Sequence, residues 1–290
     1  MRSGRILACM SLGAMAFAAV GCSSPAAPTP AFNDLTGEAA NPASAYPAGP
    51  YGVGIGSVIP NFDFVGFPNA TADNTALKPI SLADFYNPHA FDKSYQPASP
   101  AEDDRLFPST SGYALAGKAK PTVLLIDTAS VWCGPCNQEA QTLLPFKHDL
   151  YSACGGEFFL NLHDSNTPGT TATQQNLKNW TKLYKVNYPA VIDPEYKLDP
   201  VFVVTAFPNN TIIDTTTMKI VHGLAGEAVP GICSDMQTIC GTDADLATCT
   251  ANSLNCGGLA ACPSGACTQL DLWSIFESHL DKSRAGCTVK

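Results

Sequence analysis

The chain has 290 residues, 45% hydrophobic and 14% charged, which is enough apolar material for a sizeable core and excludes a disordered tail. Sixteen Lys and Arg against 25 Asp and Glu give a net charge of −9 without any basic cluster, so the attraction that dominates nucleic-acid binding is missing and nucleic acid is not an expected partner. Twelve cysteines are too many for a reducing cytosol unless they bind metal, and they point to an oxidising compartment.

Arg2 and Arg5 precede an apolar run from Ile6 to Val20. The run is shorter than the ~20 residues that cross a bilayer and suits the core of an export signal. It ends Ala19-Val20-Gly21-Cys22, which resembles the bacterial lipoprotein cleavage box, with Ala19 where that box prefers Leu. The resemblance implies a signal peptide over 1–21, lipid on Cys22 and attachment to a membrane. Ordinary cleavage near Gly21, leaving Cys22 as one more thiol, is the alternative. Residues 22–50 are rich in Ala, Pro and Ser, with Pro25, Pro28, Pro30, Pro42, Pro47 and Pro50, and read as an extended tether to one domain over 51–290.

Within that domain, Val58–Phe64 and Ile80–Phe85 are short apolar segments expected as strands, whereas 86–119, with Pro88, Pro97, Pro100 and Pro108, shows no period and reads as a long surface excursion. Val123–Asp127 is a continuous apolar run of the kind buried in a central strand; a Gly/Pro turn and a helical pattern of Ala140, Leu143, Leu144 and Leu150 follow. Glu157–Leu162 is a second strand. Leu177, Trp180, Thr181 and Tyr184 share one face of a helix, and Thr211–Asp214 with Lys219–Leu224 form a hairpin. Residues 225–268 are a Cys-rich insertion. A last helix carries Leu272, Ile275, Phe276, His279 and Leu280 on one face, and Thr268 with Asp271 has capping-box spacing at its start. The fold class is α/β with one hairpin.

The chemistry lies in Trp132-Cys133-Gly134-Pro135-Cys136. Two cysteines with two residues between them at the start of a helix can close a small disulfide ring, and the helix N-terminus favours a thiolate on the first. Cys133 is the expected nucleophile; lowering its pKa from about 8.5 to about 7 requires about 2 kcal/mol. Cys136, further in, would resolve the mixed disulfide by attacking Cys133. A stapling disulfide or half a zinc site are the alternatives, but a zinc ribbon wants a second close pair, and Cys262 and Cys267 have four residues between them. His148, His163 and His222 lack ligand spacing, Asp243 and Asp245 lack the rest of a calcium loop, and Trp180 and Trp273 read as packing residues, so no metal is expected.

Asp127-Thr128-Ala129-Ser130-Val131-Trp132-Cys133-Gly134-Pro135-Cys136 resembles the active-site segment of thioredoxin-family proteins, including the acid six residues before the first Cys. The resemblance implies a thioredoxin-like fold, a central mixed sheet flanked by helices, and a buried Asp127 that moves the proton of Cys136. A carboxyl in an apolar strand has a raised pKa and suits that task. A strand-end acid open to solvent is the alternative for Asp127. Phe207-Pro208, ahead of Thr211–Asp214, resembles the family's cis-proline loop, which implies that Trp132, Gly134, Pro135, Phe207 and Pro208 meet the substrate. Pro60-Asn61-Phe62, Leu82–Phe85 and Asp193-Pro194-Glu195 resemble the membrane-anchored, extracytoplasmic TlpA-like branch, near the redoxins. The likeness covers about 55–225 and 268–283. It departs at Gln141, where the family's helix has a proline; here Pro145 comes four residues later.

The function so implied is disulfide reduction or isomerisation outside the cytoplasm, on protein disulfides, with the Cys133–Cys136 disulfide as the only cofactor and a membrane thiol-transfer protein as electron donor. Two alternatives stand beside it: a peroxiredoxin-like thiol peroxidase, whose Pro and Thr positions hold Ile126 and Ser130 here, and a surface binding module whose pair stays oxidised. Setting aside Cys9, Cys22 and the active pair leaves eight cysteines, an even number. In the thioredoxin fold, the helix after the Cys pair and the C-terminal helix run away from the active site on one sheet face. The resemblance therefore implies a Cys154–Cys287 bridge, worth nominally about 4 to 5 kcal/mol. It also implies that Cys233, Cys240, Cys249, Cys256, Cys262 and Cys267 make a three-disulfide subdomain near Cys133 that shapes substrate access.

Overall fold

The computed structural model describes residues 46–52, 54–202, 206–226, 231–233, 239–240, 267–269 and 272–289. The signal peptide, Cys22 and residues 22–45 of the expected tether lie outside these, as does the pairing of the six cysteines between 233 and 267.

The strands are β1 (Asp63–Phe67), β2 (Lys78–Ser81), β3 (Val123–Ala129), β4 (Gly156–Leu162), β5 (Ala190–Ile192), β6 (Asn209–Asp214) and β7 (Lys219–Ala225). They form a 7-stranded sheet in the order β2-β1-β5-β4-β3-β6-β7, parallel across β5-β4-β3 and antiparallel elsewhere. β3 and β4 are buried on both faces, which is why β3 opens as the unbroken apolar run Val123–Ile126. Side chains alternate across the sheet. Val123, Leu125 and Ala129 therefore pack with α1 (Gly134–Thr142), α2 (Leu144–Ser152), α3 (Gln174–Leu183) and α5 (Leu272–Ser278). Leu124 and Ile126 pack on the other face with Ile59, Phe64, Phe85, Phe107 and with Val201 of the short α4 (Asp199–Phe202). Three further strands, β8 (Gly231–Cys233), β9 (Ile239–Cys240) and β10 (Cys267–Gln269), pair in the order β10-β8-β9. Central mixed sheet, flanking helices and the α1 start directly after β3 make this a thioredoxin-like fold.

Several expectations need correction. The first strand is 63–67 rather than 58–64, because Pro60 has no N–H to give a ladder; Ile59 and Phe62 are buried instead as loop side chains. The second strand stops at Ser81, whose N–H donates to Asp84 Oδ2 (3.2 Å) and opens a 3₁₀ turn over Leu82–Phe85. Residues 86–119 are not a purely surface excursion: Asn87, Asp104 and Phe107 are buried, and Phe107 packs edge-on against Phe85 (5.9 Å). The expected single helix over 140–150 is two, broken at Leu143. Pro145 cannot donate an amide hydrogen to the preceding turn and falls in the first turn of α2. Tyr46, inside the expected tether, is buried and donates its hydroxyl to Ile59 O (2.7 Å). Thr268 lies in β10, opposite Ile232, and the last helix begins at Leu272. Among the described residues, no helix is long and apolar enough to cross a membrane.

Candidate redox site

β3 delivers the chain to the site and α1 carries it away. Cys133 is the N-cap of α1, and its Sγ accepts from the Cys136 N–H (3.1 Å). The two cysteines are joined, Cα to Cα 5.3 Å, and both are buried, while Gly134 and Pro135 are exposed and Trp132 keeps 42% of its surface open. Asn137 holds the turn from within: its Nδ2 donates to Val131 O (3.1 Å) and to Cys133 O, and its Oδ1 accepts from the hydroxyl of Tyr184, the C-cap of α3. An amide N–H aimed at the first sulfur favours a thiolate there, and Cys136 is shielded one turn in.

Asp127 shares the parity of Val123, Leu125 and Ala129 in β3, so its side chain points to the face that carries α1. It is 2% exposed, which removes the solvent-exposed alternative, and its Oδ1 has no hydrogen-bond partner. Burial raises its pKa to about 7, suited to exchanging a proton near neutrality. Opposite it in the β3–β6 register stands Asn210, whose Nδ2 donates to Glu139 Oε1 (3.0 Å) and to Gly226 O (3.3 Å). Glu139 is a buried carboxyl that the sequence reading missed. A signal existed: it lies three residues after Cys136, on the same helical face, next to the apolar Ala140.

The Phe207–Pro208 bond is cis, and Pro208 O accepts from Gly226 N (2.7 Å) at the end of β7. Phe207 packs edge-on against Trp132 (5.7 Å), so the Trp132 and Pro208 loops meet at their aromatic residues. Of the histidines weighed above as ligands, His148 Nε2 lies 2.7 Å from Glu157 Oε1 and His163 lies between two carboxylates. Among the described residues, no group of three or more His, Cys, Asp or Glu is placed to hold a metal ion. Trp180 and Trp273 are both core residues.

No family model matches this chain, and no curated protein matches it. Solved structures do. The thioredoxin domain of a thiol-disulfide oxidoreductase from Bacteroides vulgatus is similar at 16% identity, covering 70% of this chain and 99% of that one, with a TM-score of 0.38. A thiol:disulfide interchange protein from Bacteroides sp. is 15% identical over 59% of this chain and 81% of its own, TM-score 0.38. A secreted thiol-disulfide isomerase from Corynebacterium glutamicum is 14% identical over 59% and 77%, TM-score 0.37. At these values the likeness carries nothing further; the fold rests on the strand order and connections above. Fold and site together define a thioredoxin-like protein with a Cys-Gly-Pro-Cys disulfide at the head of its first sheet-flanking helix.

Proposed function

We propose that the chain is a thiol-disulfide oxidoreductase that reduces or isomerises protein disulfides outside the cytoplasm, held to a membrane by lipid on Cys22. The observation that carries the chemistry is the Cys133–Cys136 disulfide at the N-cap of α1, on the sheet face that also takes the buried Asp127. In the dithiol form, the Cys133 thiolate attacks one sulfur of a substrate disulfide and expels the other as a thiolate. Cys136, giving its proton to the Asp127 carboxylate, then attacks Cys133 Sγ; the second substrate thiol leaves, and the substrate has gained the two electrons that the pair has lost. Trp132, Gly134, Pro135, Phe207 and Pro208 form the surface the substrate meets, and a membrane thiol-transfer protein returns the electrons. Location rests on the export signal and the cysteine count.

Equilibration with glutathione tests the direction. A potential near about −270 mV supports reduction, and one near about −120 mV would make the chain an oxidant instead. Reversible thiol labelling of Cys133 and Cys136 after mild reductant separates an enzyme from a binding module with a permanent disulfide, in which neither would label.

Asp127→Asn should slow exchange at neutral pH by about 10²-fold, with the deficit shrinking towards pH ~10, where hydroxide deprotonates Cys136 unaided. Stability should move the other way. The carboxyl titrates near about 3.9 in the unfolded chain. Folded, it titrates at about 7, so the native state holds the extra proton between those values and wild-type stability falls as pH rises through that window. Urea unfolding should therefore show the variant gaining on wild type, by an amount on the order of 3 kcal/mol, above pH ~7 but not near pH ~4. An equal change in stability at both pH values would contradict the assignment.

A further inference from the structure

β3 and β4 run parallel with Ala129 opposite Leu162, so the residues that follow β4 flank the approach to the Cys pair. His163 N donates to Ala129 O (2.8 Å) and Val131 N donates to Asp164 O (3.1 Å). Above this backbone brace, the Asp164 carboxylate accepts from Trp132 Nε1 (3.0 Å), Gly169 N (2.9 Å) and the Tyr196 hydroxyl (3.1 Å), and lies 2.9 Å from His163 Nδ1. The other ring nitrogen, His163 Nε2, lies 2.8 Å from Asp199 Oδ1 at the start of α4. Phe207 closes the circuit, packing on His163 at 4.9 Å and on Trp132 at 5.7 Å.

We propose, on the oxidoreductase reading above, that His163 is a positioning residue for the substrate: held between Asp164 and Asp199, its imidazolium fastens the Trp132 side of the cleft to the α4–Phe207 side. Only the charged ring has an N–H on both nitrogens. A neutral ring keeps one carboxylate and turns a lone pair towards the other. The partner released is Asp199, whose side chain is 40% exposed and can turn to water, whereas that of Asp164 is 4% exposed and cannot. Phe207, whose bond to Pro208 is cis, packs on the same ring at 4.9 Å, so this release is felt at the cis-proline loop.

The groups facing the ring are Asp164 on its own segment, Asp199 from α4 and Tyr196 from the turn before α4. Burial works against charge on His163, but the two carboxylates outweigh it and raise its pKa. Burial likewise opposes charge on Asp164, and the hydrogen bonds from Trp132 and Gly169 with the His163 charge more than offset it, holding that carboxyl below its ordinary range. Tyr196 is pushed up to about 12 by burial and by Asp164, and stays neutral throughout.

The test uses the oxidised protein, which has no active-site thiol to titrate, with 5-fluorotryptophan incorporated and the Trp132 resonance assigned through Trp132→Phe. From about pH 5 to pH 9.5 that resonance should shift with a midpoint above the 6.5 of an ordinary histidine, and should do so equally in an Asp127→Asn background. Asp199→Asn is the decisive variant, because an amide can donate to the neutral Nε2 and keep the contact closed in both states. In exchange with a peptide disulfide, wild-type KM should rise about fivefold between neutral and alkaline pH, the factor set by one lost contact, while the Asp199→Asn KM stays flat. A Trp132 resonance that does not move, or KM values that rise alike in both proteins, overturns the proposal. Absence of any exchange in wild type while the resonance still titrates would instead overturn the oxidoreductase reading.

Discussion

Cys133→Ser should abolish disulfide exchange, by roughly a thousandfold or more, since a serine hydroxyl supplies no comparable nucleophile near neutral pH. Cys136→Ser should behave differently. It retains the attacking thiolate but loses the group that resolves the mixed disulfide, so substrate proteins should accumulate covalently on Cys133. The asymmetry follows from placement: Cys133 caps α1 beside exposed Trp132, Gly134 and Pro135, and its sulfur receives the Cys136 N–H, while Cys136 lies inside the helix. Insulin reduction followed by turbidity reads the first effect, and non-reducing gels of the Cys136→Ser variant recovered from its native host read the second. Wild-type turnover in Cys133→Ser would remove the nucleophile assignment. Complexes trapped on Cys133→Ser rather than on Cys136→Ser would reverse the two roles.

Local signals made much of this site legible in the sequence. Val123–Asp127 is apolar because β3 is buried on both faces, and a buried strand leading straight into a Cys-Gly-Pro-Cys helix start leaves few other arrangements. Asp127 and Phe207-Pro208 were found by resemblance, since neither a polar residue ending an apolar run nor an X-Pro pair announces its place by itself. What escaped depends on distant partners. Glu139 looks like an ordinary helix-surface acid until Asn210, 71 positions on, is seen to reach it. His163 has no ligand spacing because one ring partner, Asp164, is its neighbour, the other, Asp199, comes from a distant segment, and the Trp132 that Asp164 holds comes from a third. Phe107 sits in a proline-rich stretch without period, yet it is buried against Phe85 and Tyr113. Such residues are fixed by tertiary packing, which period and propensity do not encode.

Cys154 and Cys287 are joined at the end of the sheet opposite the redox pair: Cys154 follows α2, Cys287 follows α5, and the C-terminal segment between α5 and Cys287 is laid against the residues that precede β3. Thr122 Oγ1 donates to His279 O (2.7 Å), Arg284 Nη2 to Lys120 O (2.6 Å), and Asp281 N to Cys154 O (2.9 Å). Gly155 has φ +82, and a Cβ there would stand 2.8 Å from the Arg284 guanidinium carbon, so the two segments approach as closely as a glycine permits. The bridge spans 133 positions of chain. For a closed loop of that size, chain entropy assigns it about 5 kcal/mol, an upper figure because unfolded chains keep some structure. The double variant Cys154→Ala/Cys287→Ala, which leaves no unpaired thiol at this end to exchange with the other cysteines, should therefore lower the melting temperature by about 10 °C, at about 2 to 4 °C per kcal/mol for a domain of this size. Insulin reduction by the folded variant should stay within about twofold of wild type, because the redox pair is at the other end of β3. A shift of only about 1 °C would mean that the α5 packing and the three hydrogen bonds hold the C-terminus unaided. A melting shift accompanied by lost exchange at temperatures where the variant is folded would mean that this end of the sheet is coupled to Cys133.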